Sequence, residues 1–138
     1  MIIDAKDTIL GRLGTYAAKQ LLMGATVEIV NCEECAVSGK KRFILKEYIR
    51  KLHRGAPGKG PFFYKRPDMF VKRTIRGMLP FKRARGREAF KNIKCHMGVP
   101  EKLKNEKYVK IEGAGIDKLH SVDYLKIKDI CRAVGSKQ

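Results

Sequence analysis

Two short apolar runs, Met1–Asp4 and Thr26–Asn31, flank a stretch in which Leu10, Leu13, Ala17, Ala18, Leu21 and Leu22 recur at helical spacing. Gly24 follows the last of them, where a helix stop is expected. The pattern predicts strand, helix, strand. Closing such a unit makes the two strands parallel and the crossover right-handed. A mostly parallel α/β sheet is therefore expected.

The rest of the chain extends this plan. Gly39 marks a turn, and Leu45, Tyr48, Ile49 and Leu52 then form an apolar stripe on a helix that carries Lys40, Lys41, Lys46, Arg50 and Lys51 on its other face. Between Arg54 and Pro67 the chain holds Gly55, Pro57, Gly58, Gly60 and Pro61, which predicts an extended loop. Asp68 is placed to cap the next helix, whose apolar side is Val71, Ile75, Met78 and Leu79, until Pro80 ends it. A short helix from Arg87 to Asn92, strands at Ile93–Met97 and Tyr108–Glu112, and a last helix through Ile127, Ile130, Cys131 and Val134, stopped by Gly135, complete the reading. With 138 residues, no internal repeat and 43% hydrophobic content, one domain spanning 1–138 is expected. No apolar run is long enough for a membrane helix, and the opening Met-Ile-Ile-Asp-Ala-Lys-Asp does not resemble a secretory leader, so a reducing cytoplasm is expected.

Charge is distributed very unevenly. Met1 to Gly39 carries three basic and five acidic residues, and Ile111 to Gln138 carries five and four, whereas Lys40 to Lys110 holds twenty-three basic and five acidic. The surplus that gives the chain its +17 therefore sits in one central block. Like charges at helical spacing repel, so a merely solvated face would be better served by mixed signs. A polyanion would relieve the repulsion, and nucleic acid is the leading partner. Arginine dominates the end of the run Lys72-Arg73-Thr74-Ile75-Arg76-Gly77-Met78-Leu79-Pro80-Phe81-Lys82-Arg83-Ala84-Arg85-Gly86-Arg87. Guanidinium groups fork onto phosphate oxygens and stack on exposed bases, a pairing that suits folded RNA. Upstream, Phe62, Phe63 and Tyr64 interleave with Lys65 and Arg66, so their rings could either stack unpaired bases or anchor the loop to the core.

Thr74-Ile75-Arg76-Gly77-Met78-Leu79-Pro80 followed by Gly86-Arg87 resembles the signature of the L-thirteen family of large-subunit ribosomal proteins. Ile3-Asp4-Ala5, Ile9-Leu10-Gly11-Arg12-Leu13, Val27-Glu28-Ile29-Val30-Asn31 and Val37-Ser38-Gly39 are similar to that family's opening region, and Gly60-Pro61-Phe62 resembles its archaeal and eukaryotic branch. The resemblance implies a three-layer α/β/α fold with a parallel sheet of about four strands and a basic loop and helix extension at about 40–94. It also implies a structural role in the cytoplasmic ribosome, with ribosomal RNA and neighbouring large-subunit proteins as partners and with no cofactor, membrane or small-molecule substrate. The positions expected to contact phosphate are Arg73, Arg76, Lys82, Arg83, Arg85 and Arg87, extended by Lys40, Lys41, Arg42, Arg54, Lys59, Lys65 and Arg66.

Three other readings compete. Cys32-Glu33-Glu34-Cys35 has C-x-x-C spacing, and Cys95-His96 stands where the family usually has an apolar and aromatic pair, so zinc must be weighed. Adjacent strand residues face opposite ways, which argues against Cys95 and His96 sharing one ion and favours buried free thiols. No thioredoxin-like context surrounds the Cys pair, and His53 and His120 are expected to be exposed. Gly11-Arg12-Leu13-Gly14, with Glu33 or Glu34 some twenty residues on, hints at a dinucleotide-binding enzyme, but it supplies half the required glycine pattern. Small glycines packing a helix onto a sheet explain it as well. A general RNA- or DNA-binding module outside the ribosome is the nearer alternative.

Overall fold

A computed structural model describes residues 1–56 and 58–135. Pro57, one of the expected loop breakers, lies outside them. Strand β1 (Ile2–Asp4) leads through helix α1 (Leu10–Leu22) to β2 (Val27–Val30), and the two strands pair in parallel with Ile3 opposite Ile29. Ile3, Leu13, Leu21, Val27 and Ile29 are fully buried, which is what drives this unit together. Gly24 adopts a φ of +92° just past α1, a conformation that favours glycine, and the preceding turn closes on the carbonyls of Gln20 and Leu21.

After β3 (Ala36–Ser38) come α2 (Lys41–Leu52), α3 (Pro67–Met78), α4 (Ala84–Lys91) and β4 (Ile93–Cys95). Then β5 (Tyr108–Val109), β6 (Tyr124–Lys126) and α5 (Ile127–Ala133) complete the chain. The main sheet has the order β4-β2-β1-β5 and is parallel throughout, flanked by helices in the α/β/α arrangement. A second, two-stranded antiparallel ribbon, β3 with β6, was not anticipated. Its strands are three residues each, too short to show periodicity, and they pair across most of the chain.

Several local expectations shift. The buried residue of α2 is Ile44, with Leu45, Tyr48 and Leu52 partly covered, while Ile49 is 38% exposed at the margin of the stripe. Arg66, not Asp68, takes the capping position of α3, with Pro67 in the first turn where its missing N–H costs nothing. The Asp68 carboxylate instead accepts from the Met69 N–H and the Arg66 guanidinium, each at 2.8 Å. Phe70, Val71, Ile75 and Leu79 are buried, but Met78 is 39% exposed. Helix α4 starts a turn earlier than expected, at Ala84, so Arg85 as well as Arg87 lies on a helix.

Glu34, in the turn between β2 and β3, ties β6 and the start of α5 to that turn: its carboxylate receives Lys126 Nζ at 2.5 Å and Lys128 Nζ at 2.6 Å. The hydrogen bonds from Lys126 and then Lys128 hold its carboxyl down at about 2, below its ordinary 4.5. A carboxylate depressed in the folded state stabilises above its unfolded value and loses that contribution as pH falls through the folded one. Glu34→Gln should therefore lower the unfolding temperature at pH 7, and its difference from the parent should vanish between about pH 4.5 and about pH 2. Thermal melts across that range check it, and a difference that stays constant with pH would mean that the Glu34 charge does not stabilise the fold.

Candidate nucleic-acid interface

The stretch 58–66 that leads into α3 is held to the helices through an aromatic ring. Phe63 packs against Tyr48 of α2 at 5.7 Å and Phe70 of α3 at 5.9 Å between centroids. Phe62, its neighbour, is turned outward and 71% exposed. The two roles expected of these rings therefore divide: Phe63 is an anchor, and Phe62 is available to a partner.

Arg73 on α3 is partly occupied by the same loop. Its Nη1 donates to the Phe62 carbonyl at 2.8 Å, and its guanidinium lies 5.1 Å from the Phe63 ring and 5.8 Å from the Tyr64 ring. One helical turn on, the Arg76 guanidinium sits 4.5 Å over Phe81. That ring was missed as a site residue, although an aromatic between Pro80 and Lys82 meets the same criterion that singled out Phe62 to Tyr64. Arg73, Arg76, Lys82 and Arg83 line one groove of about 940 Å³, and Arg54 and Lys51 line an adjoining one of about 550 Å³.

The remaining expected positions are spread more widely. Lys40, Lys41 and Arg42 are exposed at the start of α2, where no acidic residue occupies the first turn. Arg83 and Arg85 crowd the start of α4, also without an acid. Cations there oppose the helix dipole, so both ends trade local stability for a site attractive to anions. Lys59 is exposed near the tip of the loop. Lys65 stands by the end of α5, its Nζ 3.6 Å from where a Cβ on Gly135 would lie. Arg66 is bound to Asp68, which reduces its availability. Arg85 donates to the Leu22 carbonyl at 3.2 Å, capping the end of α1, a tertiary role its sequence context does not reveal.

The signature glycine Gly86 has a packing reason. A Cβ there would fall 2.2 Å from the Pro80 carbonyl oxygen, so the cationic turn between α3 and α4 closes only over a bare backbone. Gly86→Ala should cost about 1–3 kcal/mol in urea unfolding. An unchanged midpoint would mean that this turn is not so tightly closed.

Cys35, Cys32 and His96 are each engaged by protein neighbours. Cys35 Sγ donates to the Thr8 carbonyl at 3.1 Å, Cys32 lies beside Cys95, and His96 Nε2 pairs with Glu28 at 3.2 Å. The contact with Cys95, followed by burial, raises the Cys32 thiol well above its ordinary range, and burial pushes Cys35 up to about 12. Among the described residues no group of three or more Cys, His, Asp or Glu is placed to hold an ion. His53 and His120 are exposed. Gly14 of the half dinucleotide pattern is where α3 crosses α1: a Cβ would meet Met78 Sδ at 2.7 Å, which makes it a packing glycine, but against a helix and not against the sheet, and a Cβ on Gly11 would meet nothing within 4 Å.

A small parallel α/β scaffold that crowds exposed cations and aromatic rings onto its helices and loops defines a basic protein built to meet a polyanion. Residues 1–102 match the family model described as Ribosomal protein L13. The chain is 46% identical over 137 residues to the large ribosomal subunit protein uL13 of Methanosarcina barkeri, covering 99% of this chain and 98% of that one. It is 41% identical to the same protein of Archaeoglobus fulgidus, covering 97% and 86%, and 36% identical to that of Haloarcula marismortui, covering 100% and 92%. The chain belongs to the ribosomal protein L13 family.

Proposed function

We propose that the protein is a structural constituent of the large ribosomal subunit in the cytoplasm, where it binds ribosomal RNA and neighbouring ribosomal proteins and supports subunit assembly. It is not an enzyme: its family is one of structural ribosomal proteins. We read residues 1–138 as one domain, with the sheet as scaffold and the block at about 40–94 as the RNA-facing part. The observation that carries this reading is the lack of internal neutralisation. Among the described residues, only Arg50, Lys51, Arg66 and Lys94 of the twenty-three cations between Lys40 and Lys110 pair with an acid. Unpaired cations held at such density repel one another and are satisfied by phosphates.

Arg73, Arg76, Lys82, Arg83 and Arg87 are the primary phosphate contacts in this reading, with Arg85 dividing its guanidinium between Leu22 and RNA. Lys40, Lys41, Arg42, Arg54, Lys59, Lys65 and Arg66 extend the surface. Sedimentation of a cell lysate through a sucrose gradient tests the assignment. The chain should travel with the large subunit and with whole ribosomes. Recovery only in the light fractions would favour a binding module outside the ribosome.

A further inference from the structure

Gly77 lies in the last turn of α3 without an internal reason to be glycine. Its φ is not in the positive range, and a Cβ built on it meets nothing within 4 Å, in contrast to Gly14 and Gly86, which are crowded by Met78 and Pro80. Glycine is less favourable than alanine in a helix, in its last turn as well, so the open space is maintained at a penalty. That space is where the two grooves meet: Pro61, Phe62, Tyr64, Arg73 and Gly77 line both. Each groove is in the size range of small-ligand sites, roughly 300–1,000 Å³.

The walls favour one kind of occupant. Phe62 presents an exposed ring on one side, and exposed Arg76 presents a guanidinium already backed by Phe81 at 4.5 Å. Aromatic rings and guanidinium planes are the surfaces on which unstacked RNA bases settle. Lys82 and Arg83 at the rim supply charge for the phosphates on either side of such a base. We propose that the groove over Gly77 takes a single nucleotide flipped out of the RNA, its base stacked between Phe62 and the Arg76–Phe81 pair. This rests on the RNA-binding reading above and adds to it a site that recognises an unpaired base, beyond phosphate contact alone.

The probe is an RNA hairpin with one bulged 2-aminopurine, compared with the same hairpin bearing an abasic bulge. The protein should bind the 2-aminopurine hairpin roughly 5- to 100-fold more tightly and quench its fluorescence. Gly77→Leu, which fills the groove without meeting a neighbour at its Cβ, should abolish both the preference and the quenching without lowering the unfolding temperature. Phe62→Ala, a change at an exposed ring, should do the same. Equal affinity for the two hairpins with a steep salt dependence would overturn the base site and leave the RNA interface standing. A preference that survives both substitutions would also overturn it, and absence of salt-dependent RNA binding would overturn both.

Discussion

Replacing Lys82, Arg83 and Arg87 together by alanine should weaken binding to large-subunit ribosomal RNA by about 100-fold, taking roughly 1 kcal/mol for each lost phosphate contact. The slope of log K against log salt should become shallower by roughly two to three units. The isolated protein should unfold at its original temperature or slightly above it, because none of the ion pairs among the described residues involves these three side chains and their mutual repulsion is relieved. Adding Arg85→Ala should remove up to one further unit of slope, and this variant should also lose about 0.5–1.5 kcal/mol of stability as the Leu22 carbonyl loses its donor. The proper comparison is a variant lacking exposed Lys6 and Lys19 of the near-neutral N-terminal segment. Lys126 and Lys128 would serve badly, since both hold Glu34. Salt titrations and thermal melts on the three proteins separate binding from folding. If the triple variant binds as tightly as the comparison protein, these cations are only a solvated surface.

The second large effect lies in the scaffold. Ile75 is fully buried where α3 crosses α1, its Cγ1 3.7 Å from a Cβ built on Gly14. Ile75→Ala should cost about 2–5 kcal/mol, a large part of the stability of a domain this size. Met78 occupies the same sequence stripe but is 39% exposed, so Met78→Ala should cost only about 1 kcal/mol. Neither change should alter the salt slope while the protein remains folded. Urea unfolding of both variants checks the contrast, and equal costs would mean that α3 is rotated about its axis so that Met78 is as buried as Ile75.

Ile75 and Met78 also mark how far sequence reasoning reaches. Both fit an apolar stripe, because helical spacing places them on one side, but burial also depends on which neighbours cover the last turn of α3, which no local pattern encodes. The parallel core was readable because an apolar helical stripe stands between two short apolar runs: Ile3, Val27 and Ile29, on one face of the sheet, are buried together with Leu13, Ala17 and Leu21 of α1. The β3 and β6 ribbon was not, since three-residue strands joined across the chain leave no periodic trace. At the candidate interface, composition marked the cationic block but not the separate tasks within it. Arg85 turns to Leu22, Arg73 turns to the Phe62 carbonyl, and Phe63 alone of its pair goes inward. Each of these depends on a tertiary neighbour. The resemblance to the ribosomal family rested on contiguous motifs, and it needed no such neighbour.

The central claim is that the cations between Lys40 and Lys94 meet RNA phosphates, and the salt dependence of binding tests it most directly. For the unaltered protein and large-subunit ribosomal RNA, with on the order of eight phosphates neutralised, log K should fall with log salt at a slope of roughly −6 to −7. A flat dependence from low to physiological salt would contradict the claim.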